Sequence, residues 1–112
     1  MIAQVRPSGF DAWRHAQGGR ALLLDVREPW EVQVANVGPQ QDFDVVAIPM
    51  NQVPARLAEL LQDRPIACLC HHGARSQRVA LFLAQQGYTD VANIAGGIEA
   101  WSRERDAAVP QY

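Results

Sequence analysis

Ile66-Ala67-Cys68-Leu69-Cys70 is an apolar run that leads directly into the polar turn His71-His72-Gly73-Ala74-Arg75-Ser76. A helical pattern opens at Gln77, so the order predicts a strand, a loop and a helix with a thiol where the strand ends. A helix N-terminus, unpaired loop N–H groups and a guanidinium each stabilise S⁻ over SH. We therefore expect Cys70 to be a usable nucleophile.

Strand-like and helical segments alternate on both sides of this stretch. The predicted strands are residues 21–26, 45–48, 66–70 and 91–94. The predicted helices are residues 8–17, 51–61, 77–86 and 98–105. Ser8 is expected to cap the first of them, with Phe10, Trp13 and Ala16 on its inner face, and Asn51 to cap the second. Residues 30–34 fit either a helical turn or a short strand. This alternation predicts an α/β domain, in which a mainly parallel central sheet is flanked by helices on both faces.

Length and composition limit the class of protein. The 112 residues fit one domain spanning 1–112, with 48% hydrophobic and 20% charged residues, as in an ordinary soluble globule. A net charge of −2 gives no sign of nucleic-acid binding. No apolar stretch is of membrane-spanning length and no signal peptide is evident, which predicts a cytoplasmic protein without a membrane partner. Cys68 and Cys70 are too close for a useful disulfide, so both are expected to be free thiols.

Several motifs together resemble the rhodanese family. They are Leu23-Leu24-Asp25-Val26-Arg27-Glu28-Pro29, Ile48-Pro49-Met50, Cys70-His71-His72-Gly73-Ala74-Arg75-Ser76 and Ile94-Ala95-Gly96-Gly97-Ile98-Glu99-Ala100-Trp101. Their order and spacing match the family over nearly the whole chain. The resemblance implies a single rhodanese-like domain with three layers.

The same resemblance implies a sulfurtransferase that needs no cofactor. Cys70 would take the outer sulfur of a small anionic donor such as thiosulfate, and the resulting persulfide would pass it to cyanide or a thiol. The implied persulfide-binding residues are those of the loop: His71, His72, Gly73, Ala74, Arg75 and Ser76. Arg27 is a further, weaker substrate-side candidate, and Asp25 is expected to support the loop.

A phosphatase is the nearest rival enzyme. Tyrosine and dual-specificity phosphatases use Cys-x5-Arg, whereas Cys70 and Arg75 form Cys-x4-Arg, a shorter loop that suits a single sulfur. Leu69 stands where many phosphatases have a histidine, and no residue is identified as the acid that protonates a leaving alkoxide. These differences favour sulfur transfer.

Several other residues near these motifs are expected to have structural rather than chemical roles. Cys68 is expected to be core packing, and Trp13, Trp30 and Trp101 packing residues. A zinc site at His71 and His72 is disfavoured because no second ligand pair is present, so no metal is expected. The Gly96-Gly97 pair suggests a tight backbone passage.

The segment between Glu31 and Ile48 departs from the family pattern. It lacks the Gly-His-Ile-x-Gly-Ala sequence and is several residues longer. We expect residues 36–44 to be exposed and to influence the choice of donor or acceptor. A sulfur carrier or redox-sensing module serving a protein persulfide partner stays an alternative, and both monomer and homodimer remain open.

Overall fold

The computed structural model describes residues 2–112. Five strands form its sheet: β1 (Ala3–Val5), β2 (Leu22–Asp25), β3 (Asp44–Ala47), β4 (Ile66–Leu69) and β5 (Val91–Ile94). The α-helices are α1 (Phe10–Gln17), α2 (Pro29–Val34), α3 (Ala74–Gln85) and α4 (Gly97–Glu104). Short 3-10 segments occupy Pro7–Gly9, Met50–Gln52 and Pro54–Glu59.

The strand order is β1-β5-β4-β2-β3, and every paired neighbour is parallel. The three inner strands β2, β4 and β5 are buried at every position. Burial on both faces explains why their sequences are continuous apolar runs rather than alternating patterns. The predicted α/β architecture is therefore confirmed, and β1 is an additional edge strand that the sequence did not indicate.

Successive side chains of each inner strand enter opposite faces of the sheet, which gives two core layers. One layer contains Leu24, Cys68 and Cys70 and is covered by α3 and the 3-10 segments Met50–Gln52 and Pro54–Glu59. The other contains Leu23, Leu69 and the aromatic side chains of α1 and α4. The result is a three-layer domain in which Cys70 leaves the sheet on the α3 side.

Two helix predictions need correction. Residues 51–61 form 3-10 turns rather than an α-helix, because Arg56 has non-helical backbone angles, and Leu61 is 59% exposed. Ser8 does not cap α1, since it lies in the preceding 3-10 turn and donates its hydroxyl to Glu104. Ala16 is exposed rather than buried.

Residues 36–44 are only partly exposed, contrary to the prediction. Val37 and Phe43 of this segment are buried. The Phe43 ring packs edge-on against Phe10, with ring centroids 4.9 Å apart, and also faces Trp101. The segment is therefore fastened to the core at two points, with Gln41 and Asp42 on the surface between them.

Candidate active site

The loop after β4 is shorter than the sequence suggested. Helix α3 begins at Ala74 instead of Gln77, so Arg75 and Ser76 belong to its first turn. Gly73 precedes the helix with φ at +112°, a left-handed conformation that side-chain-bearing residues rarely adopt. This turn brings the Gly73 N–H to 3.1 Å from the Cys70 sulfur. The thiol thus lies at the N-terminus of α3, where partial positive charge is concentrated.

Helix α4 holds the loop from its other side. The backbone N–H of Ile98 donates to the carbonyl of Cys70 at 2.8 Å, and that of Glu99 donates to the carbonyl of His71 at 3.3 Å. A Cβ at Gly97 would overlap the carbonyl of His71. Because both carbonyls are bound to α4, the loop is fixed in one conformation. The predicted tight passage is therefore the place where α4 packs on the loop.

Ser76 contributes a second donor to the sulfur. Its Oγ lies 3.2 Å from the Cys70 Sγ and 2.5 Å from Oδ1 of Asn93, and all three side chains are buried. The Asn93 amide nitrogen also donates to the carbonyl of Gly73 at 3.2 Å. The same hydroxyl also lies 3.3 Å from the Gly73 carbonyl oxygen, so its one proton has three possible acceptors, of which Asn93 Oδ1 is the nearest. Asn93 therefore influences whether the hydroxyl points to the sulfur.

Arg75 is paired with a carboxylate that the sequence analysis did not single out. Its guanidinium donates two hydrogen bonds to Glu31, at 2.6 and 2.8 Å. These bonds, assisted by the hydroxyl of Tyr112 and the backbone of Glu28, lower the pKa of Glu31 to about 2. Glu31 in turn raises the pKa of Arg75. The positive charge expected beside Cys70 is therefore largely balanced within the protein.

Arg27 does not occupy the substrate side, which corrects the expectation for this residue. Its side chain is fully buried, and it donates two bonds to the carboxylate of Asp25, at 2.9 and 2.7 Å. Its remaining N–H groups reach the carbonyls of Glu31 and Ala35 and the hydroxyl of Tyr112. All five donors are thus used, so Arg27 and Asp25 form a buried structural pair at the end of β2.

The two loop histidines differ in their surroundings. The His71 ring lies between the rings of His72 and Tyr112, with centroids 3.8 and 3.9 Å away. Burial, followed by the neighbouring His72, lowers the pKa of His71, which favours a neutral ring near pH 7. The His72 side chain is exposed, and its Nε2 lies 2.7 Å from a carboxylate oxygen of Glu99.

Cys68 and Cys70 are both free thiols, but only Cys70 has polar partners at its sulfur. Cys68 is completely buried, and burial raises the pKa of its thiol. Within residues 2–112, no group of three or more His, Cys, Asp or Glu side chains is placed to hold a metal ion. No helix in that range is long and apolar enough to cross a membrane.

Three residues of the site escaped the sequence analysis: Glu31, Asn93 and Tyr112. Glu31 had a usable signal, since Glu28 and Glu31 form the capping box of α2 and so hold each other in place. Asn93 is the one polar residue in the apolar run 91–94. Tyr112 had no local signal, because its contacts are to residues far away in the sequence.

Comparison with known proteins identifies the family. The family model described as Rhodanese-like domain matches residues 10–104. The chain belongs to the rhodanese family. It is 39% identical over 82 residues to a sulfurtransferase of Allochromatium vinosum, an alignment that covers 73% of this chain and 72% of that protein.

Two further similarities bear on this member of the rhodanese family. It is 37% identical to the thiosulfate sulfurtransferase GlpE of Haemophilus influenzae, with 82% of each chain covered. The crystal structure of a rhodanese-related protein from Thermoplasma volcanium superposes with a TM-score of 0.76 and 26% identity, covering 93% of this chain and 94% of that one. Some relatives are longer, and the chain spans only 20 to 30% of their length.

Proposed function

We propose that this rhodanese transfers a sulfane sulfur from thiosulfate to cyanide or a thiol through a persulfide on Cys70. One observation carries the proposal: the Cys70 sulfur lies at the N-terminus of α3 with the Gly73 N–H at 3.1 Å and the Ser76 hydroxyl at 3.2 Å. Hydrogen bonds to a charged acceptor stabilise it more than neutral ones do. Both groups can therefore donate to the anionic sulfur of the proposed persulfide.

The proposed cycle has two displacement steps. The Cys70 thiolate attacks the outer sulfur of thiosulfate, and the sulfur–sulfur bond of the donor breaks with its electron pair leaving on sulfite. The enzyme then carries Cys70–S–S⁻. Cyanide or a thiolate attacks the terminal sulfur, forming thiocyanate or a new persulfide and restoring the Cys70 thiolate.

The surroundings of the sulfur favour this chemistry over phosphate ester hydrolysis. Hydrolysis by a cysteine phosphatase needs a protonated acid for the leaving oxygen. Glu31, the carboxyl bound to Arg75, has a pKa of about 2 and is therefore ionised at neutral pH. The loop also ends one residue earlier than the phosphatase loop, with Gly73 leading directly into α3.

Space for the donor is present next to the arginine. A cavity of about 220 Å³ is lined by Val26, Glu28, Met50, Asn51 and Arg75. We propose that thiosulfate approaches Cys70 past Arg75, the cation that it meets first, with this cavity on one side of the arginine and Glu31 bound to it. Two free thiols suit a reducing compartment, which supports a place in the cytoplasm.

Intact-protein mass spectrometry tests the proposal. Wild type, Cys70→Ser and Cys68→Ser would each be incubated briefly with thiosulfate and then with cyanide. We expect a gain of about 32 Da, one persulfide sulfur, that requires Cys70, persists in Cys68→Ser and disappears with cyanide. Absence of the adduct on a reduced, reactive Cys70 would contradict thiosulfate as donor. Rapid loading from a protein persulfide in that case would favour a sulfur carrier.

A further inference from the structure

Tyr112 lies outside the part of the chain that matches the family, residues 10–104, yet its side chain contacts the active site. The phenol ring stacks on the His71 ring, with centroids 3.9 Å apart and planes inclined by only 5°. The hydroxyl donates to Oε2 of Glu31 at 2.7 Å and accepts from Arg27 at 3.0 Å. One side chain therefore contacts both the loop and the carboxylate that binds its arginine.

These contacts join the two ends of the loop. His71 follows Cys70 directly, and Arg75 lies at the other end, in the first turn of α3. Tyr112 touches His71, while Glu31 connects Tyr112 to Arg75. The four side chains His71, Tyr112, Glu31 and Arg75 form a continuous row, here called the rim. The Cys70 residue beside the rim is only 1% exposed.

The segment that carries Tyr112 is fixed to the rest of the domain. Val109 is buried, and its carbonyl accepts the Ser102 hydroxyl of α4 at 2.6 Å. The backbone N–H of Asp106 donates to the carbonyl of Trp101 at 2.9 Å. Trp30 packs edge-on against the Tyr112 ring, with centroids 6.2 Å apart. These contacts give the tyrosine ring a defined position in the rim.

We propose that Tyr112 is a specificity-determining residue, whose ring forms one wall of the entrance to Cys70 and restricts the size of the donors and acceptors that reach the sulfur. The proposal rests on the sulfur transfer proposed above. It assigns small sulfur compounds, the size of thiosulfate and low-molecular-weight thiols, as the preferred substrates. Bulky reactants would meet the ring stacked on His71 before reaching the buried sulfur.

Alkylation of Cys70 by two uncharged reagents of different size tests this wall without requiring sulfur transfer. Iodoacetamide and the larger N-phenyl iodoacetamide both react by displacement of iodide by the thiolate. The ratio of their rate constants cancels any change in the reactivity of the thiol itself. In Tyr112→Ala we expect the rate constant of the larger reagent to increase severalfold relative to that of the smaller one. Loading with thiosulfate would be measured in parallel.

Two matched variants separate the ring from other effects. Tyr112→Phe keeps the ring and loses the hydroxyl, and we expect it to retain the wild-type ratio. Gln111→Ala alters the exposed neighbour on the same segment and should also leave the ratio unchanged. Thermal unfolding would verify that each variant is folded, and Cys70→Ser would show that alkylation occurs at Cys70.

An unchanged ratio in Tyr112→Ala would overturn the proposal. So would a Tyr112→Phe variant that behaves like Tyr112→Ala, because the hydroxyl rather than the ring would then control access. If wild type fails to load from thiosulfate while Tyr112→Ala still gains reactivity toward the larger reagent, the proposed donor is wrong but the wall stands. The two failures are therefore distinguishable.

Discussion

Glu31 binds Arg75 with both carboxylate oxygens, at 2.6 and 2.8 Å, and its own side chain is only 5% exposed. The pair connects α2 to the first turn of α3, directly after the loop that holds Cys70. A carboxylate and a guanidinium in this two-bond geometry position each other more firmly than a single bond would. The pair therefore stabilises the domain and positions the arginine of the candidate active site.

Glu31→Gln should lower the free energy of unfolding at pH 7 by about 1.5–3 kcal/mol, the range for a lost hydrogen bond to a charged group. The pKa of Glu31 is below its usual value, so its stabilisation is complete above about pH 4.5 and is lost as the pH falls toward about 2. Urea unfolding from pH 7 to pH 2 would show wild type and variant converging at the acidic end. Glu59→Gln, which removes an exposed partner of Arg56, is the control and should change stability little. A constant difference at every pH would contradict the role of the Glu31 charge.

Gly97→Ala should displace the loop and abolish most of the sulfur loading. The added methyl group would overlap the carbonyl of His71, and Gly97 also has a φ of +62°. Persulfide formation by mass spectrometry and thermal unfolding would measure the two effects. Gly9→Ala is the matched control, because a Cβ there meets nothing within 4 Å and the backbone φ is −100°. Wild-type loading by Gly97→Ala would show that the contact between α4 and the loop is dispensable.

Ser76→Ala should slow both alkylation and sulfur loading of Cys70 by about tenfold, as expected for loss of one hydrogen bond to a charged sulfur. Asn93→Ala should act in the opposite direction on alkylation, since it removes the competing acceptor 2.5 Å from the same hydroxyl. Rates of reaction with iodoacetamide at pH 7 would measure both changes. In the double variant, the gain from Asn93→Ala should vanish; its persistence would mean that Asn93 acts without Ser76. Ser8→Ala, an exposed serine bonded to Glu104, is the control.

Phe43→Ala should destabilise the domain by about 3–5 kcal/mol, the cost of removing a buried phenylalanine ring. The ring contacts Phe10 and Trp101 in the core layer on the side of α1 and α4. Gln41→Ala, two residues earlier on the surface of the same segment, should have little effect on the denaturant midpoint. Equal midpoints for the two variants would contradict the anchoring of residues 36–44. Sulfur loading in the Gln41→Ala variant would show whether the exposed part affects donor choice.

Local sequence patterns were sufficient to predict the inner strands and the position of Cys70. Continuous apolar runs such as residues 21–26 and 91–94 have few other stable environments than the inside of a parallel sheet. The helix predicted from Asn51 failed because apolar spacing alone does not detect the non-helical backbone at Arg56. Periodicity describes which face is buried, whereas the type of turn depends on the individual backbone angles.

The site was predicted in part for a related reason. The loop residues His71 to Ser76 are consecutive, so their proximity to Cys70 follows from the chain itself. The pairing of Arg75 with Glu31 and the stacking of His71 on Tyr112 join residues that are remote in sequence. Such contacts can be predicted only once the order of the strands in the sheet is known. Arg27 was misplaced because its five side-chain hydrogen bonds go to four residues in different elements, Asp25, Glu31, Ala35 and Tyr112, and these partners leave it no free donor.

The pairing of β1 with β5 has a consequence for how the chain acquires its structure. Ala3 is aligned with Ala92, so the backbone groups of β1, the first strand in the sequence, are paired only after β5, the last strand, is available. All strand pairs are parallel, and none can form from a local hairpin. During synthesis, which proceeds from the N-terminus, the β1 segment emerges first and docks last. The pairing of β1 with β5 therefore requires that nearly the whole described chain is present, and we expect it to be among the slow steps of folding.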